Sequence, residues 1–355
     1  MLASMKVAAG LRTAASRFDS SIEGSGGLAA NWVKARGINA KKSCFMCDRQ
    51  KPARAVIRDC VACPRNLFIA VVACALLCSG FSADRGVFRF AILGDRTGEA
   101  QSGVYEQAWR ETAAERPAFV VATGDMIEGL NDATAPAQWA EVERLLRPYR
   151  GFPLYAVPGN HDIWSAESER LFERHTGRPL RYSFDYGAAH FTILDNSRTE
   201  ELSSGELSFL ESDLKAHAAQ PLKFVLSHRP SWLIDVAVRN PDFALQRLAR
   251  QYGVQYVIAG HVHQLLRMEL GGVTYISMPS SGGHLRASGE YEDGWFFGHA
   301  LVEVSGAKVD FKIEELKPPH GQGRVTRLAD WGMLGLAHRP AAQERRPATR
   351  VGAPS

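Results

Sequence analysis

Between Val87 and Met278 the sequence alternates short apolar runs with amphipathic stretches, and this alternation restricts the fold more than any other feature of the chain. The apolar runs predict strands, several of them buried on both faces: Phe88–Leu93, 118–122, 154–157, 191–194, 224–226 and 256–258. The stretches with apolar residues three and four positions apart predict helices: 107–114, 138–146, 166–174, 206–216 and 243–252. This order of strands and helices favours layered α/β architecture.

After His263 the pattern becomes rich in strands, predicted at 265–270, 273–278, 295–304 and 308–314. Gly271-Gly272 and Ser305-Gly306 lie where hairpin turns are expected. A domain over residues 85–317 accounts for all of these elements. The segment 318–355 contains Pro, Gly and Arg without periodicity and is expected to be a loose C-terminal tail.

The first part of the chain has a different composition. Residues 1–64 show no periodicity, and we interpret them as disordered or as lying upstream of the true translation start. The apolar run Leu67–Leu77 follows Arg65 and precedes small residues, which is typical of a signal peptide, so residues 65–84 are interpreted as a signal peptide or a membrane anchor. We therefore expect the protein to be exported, as a periplasmic, secreted or membrane-anchored protein; the anchored form would have an N-terminal membrane association.

All six cysteines lie before residue 79. Cys44, Cys47, Cys60 and Cys63 have the spacing C-x2-C-x12-C-x2-C, which is also typical of a zinc ribbon. The alternative interpretation is therefore a cytosolic zinc-ribbon interaction protein that retains its N-terminal segment.

The net charge of +4 is unevenly distributed. Residues 1–86 have 13 Lys and Arg against 5 Asp and Glu, whereas residues 87–317 have 23 against 31, a net charge of −8. Binding to nucleic-acid phosphates requires clustered cations. The charge of the body therefore argues against a nucleic-acid surface there.

Polar fragments follow the predicted strands, and they contain the residue types that bind metals. They are Gly94-Asp95-Arg96-Thr97-Gly98, Gly124-Asp125-Met126-Ile127-Glu128-Gly129, Gly159-Asn160-His161-Asp162, Ser227-His228-Arg229 and Gly260-His261-Val262-His263. In layered α/β proteins ligands bind beyond the carboxyl ends of strands. Imidazole nitrogens suit Zn, Fe or Mn, and carboxylate oxygens suit harder ions. A glycine before each ligand lets the backbone turn sharply towards the site.

This series of fragments resembles the calcineurin-like metallophosphoesterases. The resemblance implies a four-layer α-β-β-α sandwich and hydrolysis of phosphomonoesters or phosphodiesters by a metal-bound hydroxide. It implies two divalent or trivalent ions of Mn, Fe or Zn. Their ligands would be Asp95 and His263 for the first ion, Asn160, His228 and His261 for the second, and Asp125 as the bridge. The substrate would be a phosphorylated small molecule, lipid or protein.

The same resemblance implies two further catalytic residues. His161 would be the general acid that protonates the leaving oxygen. Asp162 would fix the tautomer and orientation of the His161 ring, as carboxylates behind metal-site histidines do.

One position departs from the family pattern. The first motif usually reads Asp-x-His, and here Thr97 occupies the His position. A hydroxyl is a poorer ligand than imidazole, so the first ion loses a ligand, takes a water or recruits another side chain, for which Glu128 is the nearest candidate. The alternative function is therefore a metal-binding family member with weakened or lost catalysis.

Other polar residues near these motifs have less defined roles. Arg96 is the predicted substrate-binding residue, because guanidinium groups bind phosphate oxygens in a bidentate manner. Arg229 and His284 are weaker candidates for substrate contacts. His190 lies beside a strand and is interpreted as structural.

Overall fold

The computed structural model describes residues 86–336. The predicted leader at 1–64, the signal peptide at 65–84 and residues 337–355 of the predicted tail lie outside the described residues. Within the described part, two six-stranded sheets carry helices on their outer faces, so the predicted four-layer α-β-β-α sandwich is confirmed. No helix of this part is long and apolar enough to cross a membrane.

The first sheet has the order β12-β11-β10-β1-β2-β3. Its first three strands along the chain are parallel to one another, and the other three continue the sheet in antiparallel pairs beyond β1. Their bounds are β1 Phe88–Leu93, β2 Val120–Ala122, β3 Leu154–Ala156, β10 Gly298–Ser305, β11 Lys308–Glu315 and β12 Val325–Arg327.

The second sheet has the order β4-β5-β6-β7-β9-β8. Strands β5, β6, β7 and β9 are parallel, and the two edge strands are antiparallel to their neighbours. The bounds are β4 Tyr182–Tyr186, β5 Ala189–Ile193, β6 Leu222–Leu226, β7 Tyr256–Ala259, β8 Leu266–Leu270 and β9 Val273–Ser277. A two-stranded ribbon, β13 Trp331–Gly332 and β14 Gly335–Leu336, follows later.

The main core lies between the two sheets. Phe90 and Ile92 of β1 pack there with Phe191 of β5 and Phe224 of β6, all fully buried. The rings of Phe90 and Phe191 meet edge to face at 5.2 Å between centroids. The neighbouring residue Ala91 points to the opposite face of the sheet, as the alternation along a strand requires. Most positions on both faces of the central strands are therefore buried, which explains why these strands are mainly apolar.

Helices cover the two outer faces. Three pack against the first sheet: α1 Val104–Ala114, α2 Ala135–Leu146 and α3 Ala166–Thr176. Three pack against the second: α4 Ser204–Ala216, α5 Leu233–Ala237 and α6 Ala244–Tyr252. Helix α3 is capped at its N-terminus by Ser165, whose hydroxyl accepts a hydrogen bond from the Ser168 amide, and at its C-terminus by Gly177 with φ 67°. A side chain at that φ would be strained, so glycine ends the helix there.

Two predictions about the fold need correction. Strand β4 and the short helix α5 were not predicted, because neither has a long enough periodic pattern to be recognised. The expected loose tail is wrong for residues 318–336. In that segment β12 pairs with β11, and Trp331 is buried against Tyr291 and Phe296. Pairing with an existing edge strand supplies the order that the local sequence does not indicate.

Candidate metal centre

The six predicted metal ligands all lie just beyond the carboxyl ends of strands. Asp95, Asp125 and Asn160 follow β1, β2 and β3 of the first sheet, and the histidines follow β6 and β7 of the second. Hydrogen bonds and ion pairs link these residues across the two sheets. The loops therefore meet at one edge of the sandwich, where α/β proteins bind ligands.

Four ligand atoms converge at the His228 ring. Its Nε2 lies 3.2 Å from Asp125 Oδ2, 3.0 Å from Asn160 Oδ1 and 3.2 Å from His261 Nδ1. The other nitrogen, Nδ1, donates to the Thr123 carbonyl at 2.8 Å, which leaves Nε2 as the nitrogen with a lone pair in the neutral ring. A single proton cannot bridge four such atoms, whereas one cation can. This set therefore fits a metal ion.

Asp95 and His263 form a second, smaller group. Their Oδ2 and Nε2 atoms are 3.1 Å apart, and His263 Nδ1 donates to the His284 carbonyl at 2.7 Å. Both Asp125 Oδ2 and His263 Nε2 are buried, and neither has a partner with hydrogen-bond geometry in the described part of the chain. Buried polar atoms are normally satisfied. The lone pairs of Asp125 Oδ2 and His263 Nε2 are therefore available to bind a cation.

The backbone is strained where the ligands attach. Asp125, His261 and His263 have φ values of 52°, 70° and 60°, a region that residues with a side chain rarely adopt. Such conformations cluster at functional sites, where the surrounding structure enforces them. A Cβ at Gly260 would lie only 2.3 Å from Asp95 Oδ1, so a glycine is required there. This bend lets His261 and His263 serve different groups although they are only two residues apart.

Charges in the centre are strongly coupled. Burial raises the pKa of Asp125, but the charge and hydrogen bond of the neighbouring His228 lower it, with help from His161 and His261. The lowering is the larger effect, so the pKa of Asp125 is well below its usual range. Burial lowers the pKa of His228, whereas Asp125 raises it to about 9. The pKa of His261 is well below its usual range because of burial and the charge of His228. The anionic Asp125 carboxylate thus attracts positive charge to His228, and a bound cation would supply that charge in place of the His228 proton.

His161 lies beside the Asp125 carboxylate, the predicted bridge. Its amide donates to Asp125 Oδ1 at 2.9 Å, and its ring Nδ1 donates to the Glu128 carbonyl at 2.7 Å. A carbonyl only accepts, so Nδ1 carries the proton in the neutral ring and Nε2 is the nitrogen that can exchange one.

The partner of the His161 ring in the structure is therefore the Glu128 carbonyl, and the prediction that Asp162 orients this ring is corrected. The Asp162 carboxylate instead accepts from the Met126 amide at 2.8 Å and from the Gly159 amide at 3.0 Å. It is fully buried, and burial together with the charge of Asp125 raises its pKa to about 7. Asp162 thus joins the loop after β2 to the loop after β3, which carry two of the ligands.

Thr97 is fully buried, and its hydroxyl faces backbone carbonyls. Its Oγ1 lies 2.9 Å from the Asp125 carbonyl and 2.7 Å from the Ile127 carbonyl. The side chain therefore fastens the loop that carries Asp125. Glu128 does not replace the missing imidazole, since its carboxylate accepts from the amides of Ala100 at 2.7 Å and Glu99 at 3.4 Å.

Arg96 does not extend towards the ligands. Its guanidinium donates to the Met126 carbonyl at 3.0 Å and to Glu141 Oε1 at 2.7 Å, and the residue is 8% exposed. The prediction that it binds substrate is corrected, because both ends of its guanidinium fork are held by the protein. Sequence adjacency to Asp95 gave no information about the direction of the side chain.

Two other arginines lie at the centre. Arg229 Nη1 is 3.5 Å from His261 Nε2 and also pairs with Glu200. A Cβ at Gly98 would lie 3.0 Å from the His263 ring and 3.5 Å from Arg286 Nη2, so Arg286 borders the smaller ligand group. Burial lowers the pKa of Arg286, and the charges of Asp95 and Asp125 oppose that shift. Sequence analysis missed Arg286 because it lies in an irregular loop after β9.

Comparison with known proteins agrees with this geometry. Residues 88–265 match the calcineurin-like phosphoesterase family. The chain is 30% identical over 200 residues to the 3′,5′-cyclic adenosine monophosphate phosphodiesterase CpdA of Escherichia coli. The aligned region covers 54% of this chain and 70% of that protein. It is 29% identical to a 3′,5′-cyclic-nucleotide phosphodiesterase of Nostoc, over 46% of this chain and 62% of that protein.

More distant similarities extend to the purple acid phosphatases. Purple acid phosphatase 23 of Arabidopsis thaliana is 28% identical over 38% of this chain and 34% of its own length. The structure of purple acid phosphatase PPD1 from yellow lupin superposes with a TM-score of 0.55 at 16% identity, over 72% of this chain and 57% of that one, which supports the fold. The family match covers half of the chain and includes all six predicted metal ligands. The chain therefore belongs to the calcineurin-like phosphoesterase family.

Proposed function

We propose that the protein hydrolyses phosphodiesters, with 3′,5′-cyclic nucleotides as the substrate class, using two divalent cations in this centre. The observation that carries the proposal is the convergence of four ligand atoms at His228 beside the Asp95–His263 pair. The relatives from Nostoc and Escherichia coli support the substrate class, since their names describe cyclic-nucleotide phosphodiesterases. When bound, two such cations stabilise the charge of an in-line displacement at phosphorus.

The residues present suggest how the two cations are held. Asn160, His228 and His261 would hold one ion, Asp95 and His263 the other, and Asp125 would contact both. Hydrogen bonds from His228 Nδ1 and His263 Nδ1 to carbonyls fix which nitrogen of each ring faces the centre. Such outer contacts orient ligands and increase their basicity.

His161 is positioned to transfer a proton. With Nδ1 occupied by the Glu128 carbonyl, Nε2 can protonate the oxygen that leaves phosphorus. General acid catalysis of this kind contributes about 10²–10⁴-fold to a rate. The amide of the same residue is held by Asp125, so the acid and the proposed bridge are fixed relative to each other.

Arg229 and Arg286 supply positive charge at the border of the centre. Arg229 is anchored by Glu200 and by the Ser197 carbonyl next to His261. Arg286 borders Gly98 and the His263 ring. We infer that these guanidinium groups contact the equatorial phosphate oxygens, because an arginine fork matches phosphate geometry.

The test is a substrate panel with the Mn²⁺-loaded enzyme. Hydrolysis of cyclic AMP, bis(p-nitrophenyl) phosphate and p-nitrophenyl phosphate is measured at equal metal loading, with Asp125→Asn as the inactive control. We expect kcat/KM for both diesters to exceed that for the monoester by at least about tenfold, a difference of roughly 1.4 kcal/mol in barrier. A preference for the monoester would assign the protein to phosphomonoester hydrolysis, as the purple acid phosphatase similarity would favour.

A further inference from the structure

A second group of polar residues lies where the edge of the second sheet meets α4. Asp185 of β4 and His190 of β5 are direct partners in the antiparallel pair, so both side chains stand on one face of the sheet. Asp213 of α4 and His217 at its C-terminal end are four residues apart, so they share one face of the helix. We name Asp185, His190, Asp213 and His217 the β4–α4 cluster.

The His190 ring contacts a carboxylate at each nitrogen. Nδ1 lies 2.7 Å from Asp185 Oδ1, and Nε2 lies 2.9 Å from Asp213 Oδ2. Ionised carboxylates only accept hydrogen bonds. Each nitrogen must therefore carry a proton, or a cation must replace one of the two protons. The His190 side chain is fully buried, whereas that of Asp185 is 41% exposed, so an ion would enter from the Asp185 side.

The tautomer of His217 is also defined by its contacts. Its Nδ1 lies 2.8 Å from the Asp213 carbonyl, which can only accept, so Nδ1 donates and the lone pair is on Nε2. Its ring stacks on that of His190 with centroids 3.9 Å apart and planes inclined by 16°. One ligand atom from each of Asp185, His190 and His217 lies within 4.8 Å of the others. Ligand atoms of two imidazoles and one carboxylate thus lie close together, and a rotation of the His217 ring would direct its free nitrogen towards an ion between them.

Asp213 supports the arrangement from behind. Its Oδ2 accepts from Thr192 Oγ1 at 2.6 Å as well as facing His190, and its Oδ1 accepts from Ser183 Oγ at 2.7 Å. Metal-binding histidines usually donate their second nitrogen to such a fixed carboxylate. Thr192 and Ser183, which hold this carboxylate in place, are not candidate ligands themselves.

We propose that Asp185, His190 and His217 bind one zinc-type ion, at a site separate from the centre that binds the phosphoester, with Asp213 orienting His190. Two His and one Asp are a common donor set for Zn²⁺, with water as the fourth ligand. On binding, Zn²⁺ takes the place of the proton on His190 Nδ1, and that proton is released to solvent. The ion would fasten the edge strand β4 to α4.

The experiment compares zinc binding by the wild type and three variants of the full chain, measured by equilibrium dialysis against Zn²⁺ alone. The His217→Ala variant should bind one zinc ion fewer per chain than the wild type. His175→Ala is the matched control, since His175 Nδ1 also contacts a carboxylate, Glu143 Oε1, at 2.7 Å. That variant should bind as many ions as the wild type. Asp213→Asn should weaken the site about 10–100-fold.

A crystal soaked in Zn²⁺ should show an anomalous peak about 2.0–2.2 Å from His190 and Asp185. An unchanged stoichiometry in His217→Ala, or the absence of that peak, would overturn the proposal and leave an ion-paired His190. Circular dichroism shows whether His217→Ala folds, and if it does not, Asp185→Asn, at an exposed position, replaces it. Hydrolysis by the Mn²⁺-loaded variant should match the wild type, so this outcome is separable from that of the proposed function.

Discussion

The two halves of the metal centre differ in how many side chains converge on them. In one half, His228 Nε2 lies within 3.2 Å of ligand atoms from Asp125, Asn160 and His261. In the other half, Asp95 and His263 form only a pair at 3.1 Å. Thr97 adds no ligand to this second half, since its hydroxyl faces the carbonyls of the loop after β2. At position 97 the family pattern usually has a histidine ligand. In this chain Thr97 instead stabilises the loop after β2.

This difference between the two halves implies that they bind metal ions with unequal affinities. The half with three converging side chains and Asp125 should fill first, and the Asp95–His263 half should fill only at higher metal concentration. Catalysis that requires both ions would then increase with added metal. The following predictions test this inequality, beginning with the largest expected effect.

Asp125→Asn should affect both halves together, because this carboxylate is the proposed bridge and neutral amide oxygen is a weaker ligand. The rate should fall by more than the roughly 10²–10³-fold that a single electrostatic donor contributes. Isothermal titration should show weaker binding of both ions. Loss of only one ion would show that Asp125 serves one half alone.

His161→Ala tests the proposed general acid, which lies beside the half that contains Asn160, His228 and His261. The rate should fall about 10²–10⁴-fold while both ions remain bound, because the ring contacts a carbonyl and is not among the converging ligands. The loss should be smaller for a nitrophenolate leaving group, which needs less protonation. Equal losses for cyclic AMP and for the nitrophenyl diester would remove His161 from this role.

Arg286→Gln tests the guanidinium group that borders the Asp95–His263 half. We expect kcat/KM to fall by about tenfold or more, because charge-assisted hydrogen bonds contribute roughly 1.5–3 kcal/mol. The matched control is Arg96→Gln, since Arg96 is held by Glu141 and the Met126 carbonyl. A decrease of the same size in the control would indicate an effect on folding, which thermal unfolding of both variants would reveal.

Thr97→His tests the origin of the inequality. A restored imidazole should tighten the weaker site and bring the two affinities closer in an equilibrium titration. Because Thr97 is fully buried, the larger side chain should also lower the free energy of unfolding by about 1–3 kcal/mol. Thr97→Val, which replaces the hydroxyl with a methyl group of similar size, should destabilise the fold without changing metal affinity. Two equally tight sites in the wild type would contradict the comparison.

Glu128→Gln should have the smallest effect. The Glu128 carboxylate accepts from the Ala100 and Glu99 amides, and an amide oxygen can still accept those hydrogen bonds. Metal titration of this variant should therefore match that of the wild type. Weakened binding of one ion would show that Glu128 moves to complete the smaller half.

The sequence alone predicted the main strands, the α/β layers and the six candidate ligands. Strand β1 occurs at Phe88–Leu93 as predicted, and most other elements differ from prediction by up to three residues at an end. These features could be recognised because periodicity and strand-end fragments are local in sequence. The edge strand β4 and the strands after Pro318 could not, since their order depends on partners far along the chain.

Residue types and their positions after strands are properties of the sequence, so the metal chemistry of Asp125 or His228 could be stated before any contact was known. The directions of side chains are not. Arg96 lies next to a ligand but extends to Glu141, Asp162 joins two loops and does not contact the His161 ring, and Arg286 reaches the centre from a distant loop. Likewise, His190 gained its two carboxylate partners only when β4 and α4 packed on β5. Tertiary structure decided these roles because hydrogen-bond partners are chosen by proximity in space, which local sequence patterns do not encode.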